Sequence, residues 1–138
     1  MPPVLVLVAD DLMVASRVEA AARHLGFEMR QARTETEVEQ ALRDRPALLL
    51  VSTQYARVDW ESLLARLHEQ ADAPPVLAFG PHMDLEQRER ALRAGVSKWV
   101  PNSKIATDLP QLLDEMTMTR GRETRESDGR PSTRAKRA

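Results

Sequence analysis

The chain has 138 residues, with 20 Lys and Arg against 21 Asp and Glu, so its formal net charge is −1. This length and an apolar share of 42% are typical of one globular domain, and the absence of cysteine excludes disulfides, thiolate metal sites and a cysteine nucleophile. The longest apolar run, Val4 to Ala9, falls far short of the about 20 residues of a membrane span, and no signal-peptide pattern precedes it, so we expect a cytoplasmic protein.

Two hydrophobic patterns alternate along the chain. Runs that are apolar at every position, such as Ala47 to Val51, predict strands buried on both faces, whereas Phe27 to Ala32 alternates as an edge strand does. Apolar residues at a spacing of three or four, with capping residues such as Thr34 before them and Gly95 after them, predict amphipathic helices. In chain order the patterns predict a strand at 4–9, a helix at 14–25, a strand at 27–32, a helix at 34–45, a strand at 47–51, a helix at 60–67, a strand at 76–79, a helix at 84–94, a strand at 98–100 and a helix at 109–116.

Strands that alternate with helices imply a parallel sheet with right-handed crossovers and helices on both faces. We therefore predict a flavodoxin-like (βα)5 three-layer sandwich with a five-stranded parallel sheet, formed by residues 1–118. Residues 119–138 hold seven bases and three acids and lack Val, Ile, Leu and aromatic side chains, so we expect a basic, disordered tail.

In a sheet of this kind, the functional residues lie at the carboxyl ends of the strands, beside the point where the strand order reverses. The polar segments that follow the predicted strands are therefore candidates for the site. They are Asp10-Asp11, Ser52-Thr53, Gly80-Pro81-His82 and Pro101-Asn102-Ser103.

Three segments resemble the receiver domain of two-component response regulators. They are Val6 to Asp11, the Arg-Pro-Ala-Leu-Leu-Leu-Val that leads into the third strand, and Arg93 to Val96. The order and spacing of these segments extend the resemblance over residues 4 to about 116. It implies an Asp at the end of the third strand that takes a phosphoryl group from a phosphohistidine donor with Mg²⁺. It also implies a hydroxyl after the fourth strand and a Lys after the fifth, which stabilise charge on the transferred group.

The chain departs from that pattern at three of these positions. The phosphoacceptor position falls on Ser52, the hydroxyl position on Gly80, and the lysine position on Asn102. No Asp or Glu lies between Pro46 and Val58, so a shift of the alignment by one residue does not restore the acceptor. We expect a degenerate receiver with no catalytic residue, because a serine hydroxyl is a weak nucleophile without a base to activate it.

The acidic pair of the family is present as Asp10 and Asp11. Three interpretations remain open: a weak Mg²⁺ site, vestigial acids without a metal, or a carboxylate that caps the following helix. We expect no other cofactor.

Trp99 lies where receivers carry the aromatic residue whose rotamer reports phosphorylation. It is either an exposed anchor for a partner or a cover for the edge of the sheet. His24, His68 and His82 lack the spacing of a metal site, and we assign them no role.

No Gly-rich phosphate loop and no Gly-x-Ser-x-Gly elbow is present, so we do not expect an enzyme. The sequence favours a phosphorylation-independent signalling adaptor that binds a protein partner or a second copy through the face formed by residues 84–116. The alternative is a flavodoxin-like domain that binds a small ligand at the carboxyl edge of the sheet. We expect no contact with membranes, and contact with nucleic acid only through the basic tail.

Overall fold

The computed structural model describes residues 2–81 and 84–127. Within those residues five strands and five helices alternate along the chain. In order they are β1 (Val4–Val8), α1 (Leu12–His24), β2 (Glu28–Ala32), α2 (Glu35–Arg43), β3 (Leu48–Ser52), α3 (Trp60–His68), β4 (Val76–Gly80), α4 (Leu85–Ala94), β5 (Lys98–Pro101) and α5 (Asn102–Ser127).

All five strands are parallel and form one sheet in the order β2-β1-β3-β4-β5. The predicted (βα)5 flavodoxin-like fold is confirmed, and β2 is an edge strand as its alternating pattern predicts. The chain moves from β1 outward to β2 and then returns across β1 to β3, so the strand order reverses between β1 and β3. A crevice at their carboxyl ends is therefore the expected binding position.

The sheet is buried on both faces, which explains why its strands are apolar at successive positions. Leu5 and Leu7 of β1 face one cluster together with α1 and α5, whereas Val6 and Val8 face the other cluster with α2, α3 and α4. All four side chains are buried. Helices on both faces thus give the three-layer sandwich.

Four of the five helices begin with a side chain that accepts a hydrogen bond from a backbone N–H of the first turn. The caps are Asp11 for α1, Thr34 for α2, Asp59 for α3 and Asp84 for α4. At the other end of α4, Gly95 adopts the left-handed conformation with φ of 107°, as its position after the apolar stripe predicts.

The last helix is longer than its sequence pattern predicts. It begins at Asn102 rather than near Leu109, because the apolar stripe reaches back to Ile105, which is fully buried. Pro110 therefore lies inside the helix, not in its first turn. The helix continues through Ser127, so residues 119–127 of the predicted tail are helical, while residues 128–138 lie outside the described residues. The division of the chain at residue 118 stays a prediction.

Candidate functional site at the carboxyl edge of the sheet

The carboxyl ends of β1 and β3 border a crevice of about 230 Å³. It brings together several of the residues that the sequence singles out, with Val14, Tyr55 and Phe79 as partly apolar walls. The polar residues around it are Asp10, Asp11, Ser52, Gln54 and Asn102. The crevice thus lies at the position that the sequence predicts for the site, beside the point where the strand order reverses.

Asp11 is the N-cap of α1. Its Oδ1 accepts hydrogen bonds from the backbone N–H of Met13 at 2.9 Å and of Val14 at 3.1 Å. A carboxylate here satisfies two N–H groups that the first turn leaves without partners, and it lies at the positive end of the helix dipole. Of the three interpretations of the acidic pair, the capping role therefore holds for Asp11.

Asp10 forms an ion pair with a residue that sequence analysis did not single out. Arg33 Nε donates to Asp10 Oδ1 at 3.0 Å. The register of the sheet brings them close: Val8 of β1 pairs with Ala32 of β2, so Arg33 leaves β2 beside Ala9, the residue before Asp10. The pair depends on the register between the two strands, which the sequence pattern does not show.

A network of hydrogen bonds fixes Arg33. Its Nη2 donates to Gln31 Oε1 at 3.0 Å, and Gln31 Nε2 donates in turn to the carbonyl of Ala9 at 2.8 Å. The Tyr55 hydroxyl donates to the carbonyl of Arg33 at 2.7 Å, and the Arg33 N–H donates to Glu37 Oε1 at the same distance. These bonds tie the segments that follow β1, β2 and β3 to one another.

Ser52 ends β3 and is buried beside the crevice, with 9% of its surface exposed. Its Oγ accepts a hydrogen bond from the backbone N–H of Gln54 at 3.3 Å. Within residues 2–81 and 84–127, no hydrogen bond joins this hydroxyl to a carboxylate. Asp10 and Asp11 line the same crevice, but their side-chain hydrogen bonds join them to Arg33 and to α1 rather than to this hydroxyl.

Gly80 ends β4 against three side chains. A Cβ added to Gly80 would lie 2.5 Å from Gln87 Oε1, 2.6 Å from Thr53 Oγ1 and 3.0 Å from Trp99 Cζ2. The position thus has no room for a hydroxyl-bearing side chain unless these neighbours move. The space beside Gly80 is filled by Gln87, which belongs to α4, and by Thr53, which directly follows β3.

Thr53 is a buried polar residue whose role the sequence did not reveal. Its hydroxyl lies 2.6 Å from Gln87 Oε1 and 3.1 Å from the carbonyl of Phe79, and it accepts a hydrogen bond from the Trp99 indole N–H at 3.4 Å. A hydroxyl has one proton to donate, so its donor bond goes to one of the two oxygens. Thr53 therefore connects β3, α4 and β5 through one atom.

The interpretation of Trp99 as an exposed anchor is wrong for this structure, because only 4% of the residue is exposed. Its ring packs in the cluster that also holds Ala78 and Ala91, and its indole N–H has a partner in Thr53. When a strand is apolar on both faces, its sequence does not show which aromatic side chain a helix covers. Trp99 covers the sheet, as the second interpretation predicts.

Asn102, at the predicted lysine position, begins α5 beside the crevice. Its Oδ1 is buried and has no hydrogen-bond partner among the described residues. Asn102 is neutral, so this position brings no positive charge to the crevice.

The three histidines stay outside the site as far as they are described. His68 Nε2 lies 2.7 Å from the carbonyl of Ala94, and its ring fills the space above Gly95. His24 is in the last turn of α1. His82, part of a candidate segment, lies outside the described residues.

The residues of the crevice do not fit the divalent cation that the receiver fold implies. Asp11 is committed to the helix, Asp10 to Arg33, and a serine stands at the end of β3. In the part of the chain that the structure describes, no three Asp, Glu, His or Cys side chains are grouped so as to hold a metal ion. Among the described residues, no helix is long and apolar enough to span a membrane.

No known family model and no curated protein sequence matches this chain. Solved structures do match. NtrX from Brucella abortus, solved in complex with ADP, has a TM-score of 0.81 at 23% identity over 94% of this chain. This chain spans only 30% of the NtrX chain.

Two further structures match over nearly their own full length. A response regulator from Thermotoga maritima has a TM-score of 0.73 at 18% identity, with 84% of this chain and 98% of that chain covered. HP1043, an orphan response regulator of H. pylori, has a TM-score of 0.68 at 16% identity, with 84% and 94% covered. The chain therefore has the flavodoxin-like (βα)5 fold that response-regulator receiver domains share.

Proposed function

We propose that the chain is a signal-transduction module of the receiver type that acts without aspartyl phosphorylation, as an adaptor that binds another protein. Its similarity in fold and length to response regulators of T. maritima and H. pylori supports the receiver type. The observation that carries the proposal is Ser52, which stands at the carboxyl end of β3 where a phosphoacceptor carboxylate would lie.

The surroundings of Ser52 argue against phosphoryl transfer to its hydroxyl. Transfer needs a base for the nucleophile and positive charge for the oxygens of the phosphoryl group. The Oγ atom is hydrogen-bonded to the Gln54 N–H rather than to a base, and the residue at the start of α5 is the neutral Asn102. Gly80 supplies no hydroxyl, and Thr53 and Gln87 fill the space beside it.

Intact-mass measurement tests the loss of phosphorylation. We expect the full chain, incubated with acetyl phosphate and Mg²⁺, to keep its mass, while a receiver with an intact acceptor Asp gains one phosphoryl group in parallel. The Ser52→Asp variant, which restores the carboxylate alone, is expected to be modified far more slowly than Ser52→Asp with Asn102→Lys, because the ammonium stabilises the transferred charge. A stable phosphoryl adduct on Ser52 of the unaltered chain contradicts the proposal.

The surface formed by residues 84–116 is the proposed contact for the partner. Because Trp99 is buried, the anchor on this surface is apolar side chains of α4: Leu85 is 64% exposed and Leu92 is 37% exposed. The two are seven residues apart, so they lie on the same side of the helix. Exposed apolar side chains on one helix face mark a surface that another protein can cover.

Charge substitutions on α4 test this surface. We expect Leu85→Arg with Leu92→Arg to abolish recovery of a bound protein in a pull-down and to leave the melting temperature unchanged, because both side chains already contact water. Leu12→Arg with Met13→Arg is the matched control, since these residues of α1 are 76% and 67% exposed. Loss of binding in the control alone would move the contact to α1 and refute the α4 assignment.

The crevice supports a second candidate, the binding of a small ligand. Its volume of about 230 Å³ is below the roughly 300–1,000 Å³ of drug-sized pockets, which limits the ligand to a few atoms. The buried Asn102 Oδ1 offers an acceptor to a ligand that donates a hydrogen bond. A compound that raises the melting temperature of the chain by several degrees, but not that of Asn102→Leu, would favour this function over the adaptor.

We assign contact with nucleic acid only to the basic residues 119–138. We place the adaptor in the cytoplasm. A pull-down with the full chain and with a chain that ends at residue 118 separates the two surfaces. If the partner binds both, it binds the receiver fold, and if only the full chain retains it, the contact lies in the tail.

A further inference from the structure

The relation of Arg33 to the acidic pair has a consequence for metal binding. A hard divalent cation in a protein is held by carboxylate oxygens that have no competing cation. In this chain a guanidinium lies against Asp10 at 3.0 Å, and it approaches from β2, the strand next to the crevice. The carboxylate that is not required for helix capping is thus already neutralised.

Arg33 has hydrogen-bond partners besides Asp10, although 44% of its side chain is exposed. Gln31 binds its Nη2, and the hydroxyl of Tyr55, which follows β3, binds its backbone carbonyl. Gln31 is itself bound to the carbonyl of Ala9, the residue before Asp10. The guanidinium is thus bound by Gln31 as well as by Asp10, so forming the ion pair orders the arginine less than in most exposed pairs, where that entropic cost weakens the interaction.

We infer that Arg33 is a built-in counter-ion of Asp10 that excludes divalent cations from the crevice. A cation at Asp10 has to displace the guanidinium and then lie beside its positive charge. It gains few ligands in return, because Asp11 Oδ1 already accepts two hydrogen bonds from backbone N–H groups of α1 and Ser52 is neutral. In this chain, the guanidinium of Arg33, directly after β2, neutralises Asp10 in place of a metal ion.

Removal of Arg33 should uncover a weak cation site. We expect Arg33→Ala to bind Mn²⁺ about fivefold to tenfold more tightly than the unaltered chain, since an exposed ion pair and one like charge are removed. The measurement is paramagnetic broadening of the backbone amide signals of residues 9–12 as Mn²⁺ is added. The same spectra report whether each variant is folded, and Arg33→Gln, which keeps a polar side chain, serves if alanine disturbs the fold.

Arg66→Ala is the matched control. Arg66 has the same side-chain exposure as Arg33 to within a few per cent, and it also pairs with carboxylates, those of Glu35 and Glu39 on α2. This variant should leave the Mn²⁺ response of residues 9–12 unchanged. Adding Asp10→Asn to Arg33→Ala should abolish the gain, because the freed carboxylate is then absent.

Two results would overturn the inference. In the first, Arg33→Ala and Arg33→Gln bind Mn²⁺ at residues 9–12 no more tightly than the unaltered chain. In the second, the gain persists when Asp10 is replaced by Asn, so the cation binds to other groups. A gain that depends on Asp10 and is absent in Arg66→Ala supports Arg33 as the internal counter-ion.

Discussion

The indole N–H of Trp99 on β5 donates a hydrogen bond to the hydroxyl of Thr53, the first residue after β3, across 3.4 Å. β4 lies between the two strands, and its last residue, Gly80, has no side chain to separate them. Gln87 of α4 lies 2.6 Å from the same hydroxyl oxygen. The position of Trp99 is thus linked to α4 and to the end of β3 by direct contacts, none of which requires a phosphoryl group.

Thr53→Val removes the hydroxyl and keeps the shape of the side chain. It leaves the Trp99 N–H and the Gln87 side chain without this partner in a buried region, so we expect the free energy of unfolding to fall by about 1–3 kcal/mol. Denaturant unfolding measures the change. The control is Thr107→Val, whose exposed hydroxyl contacts the Ser103 carbonyl and the Asp108 carboxylate and whose loss should cost less than about 0.5 kcal/mol. Equal effects for the two variants would show that the Thr53 hydroxyl has no special role.

Gly80→Ala should destabilise the protein by about 1–3 kcal/mol, because the new methyl group meets Gln87 Oε1, Thr53 Oγ1 and Trp99 at 2.5–3.0 Å. Gln87 is half-buried and its Oε1 is the nearest of these atoms, so Gln87→Ala removes the closest contact of the methyl group. The cost of Gly80→Ala should therefore be smaller in the Gln87→Ala background, and a double-mutant cycle gives the difference. Additive effects would mean that the clash falls on Thr53 or Trp99 instead.

Hydrophobic pattern alone predicted the order and type of all ten elements, because strands buried on both faces and amphipathic helices have different periods. The largest errors were the two ends of α5, which spans Asn102–Ser127 rather than residues 109–116. Ile105 lies four residues before Leu109 and belongs to the same buried stripe, but Pro110 is more common in a first turn than inside a helix, which favoured a later start. Tertiary packing against the sheet overrides that local preference.

The candidate site was predicted in part. Parallel topology predicts that Asp10, Ser52 and Asn102 lie at one edge of the sheet, and all three line the same crevice. The contacts of Arg33 and Thr53 depend on register and on side-chain direction across three strands, which a single sequence does not encode locally. The burial of Trp99 was undecided for the same reason, since it depends on how α4 packs over β5.

Two glycines with positive φ differ in what surrounds them. Gly95 has φ of 107° with the His68 ring directly above it, whereas Gly26 has φ of 85° and nothing within 4 Å of an added Cβ. Gly26→Ala should therefore cost only the backbone strain of the left-handed region, about 1–2 kcal/mol. Gly95→Ala should cost more, because the methyl group also displaces His68 from the Ala94 carbonyl.

The His68→Ala background separates the two costs at Gly95. In it, the destabilisation by Gly95→Ala should fall to that of Gly26→Ala, since only the strain of the backbone remains. Thermal and denaturant unfolding of the four variants give the comparison. If Gly95→Ala costs the same with and without the imidazole, the ring moves aside freely and does not hold the end of α4.

The cap of α3 predicts a dependence of stability on pH. Hydrogen bonds from the Ser62 hydroxyl and then from the Ser62 backbone N–H lower the pKa of Asp59 below its ordinary value of 3.8. The charged carboxylate therefore stabilises the folded chain fully above pH 3.8, and this contribution is lost as the pH falls through the lower pKa of the folded state.

Asp59→Asn caps the helix without titrating. We expect the difference in unfolding free energy between the two proteins to be largest near neutral pH, with the unaltered chain the more stable. The difference should shrink in strong acid, and since both chains share all other carboxylates, those groups cancel. A difference that stays constant from neutral to strongly acidic pH would mean that the charge on Asp59 does not contribute to the cap.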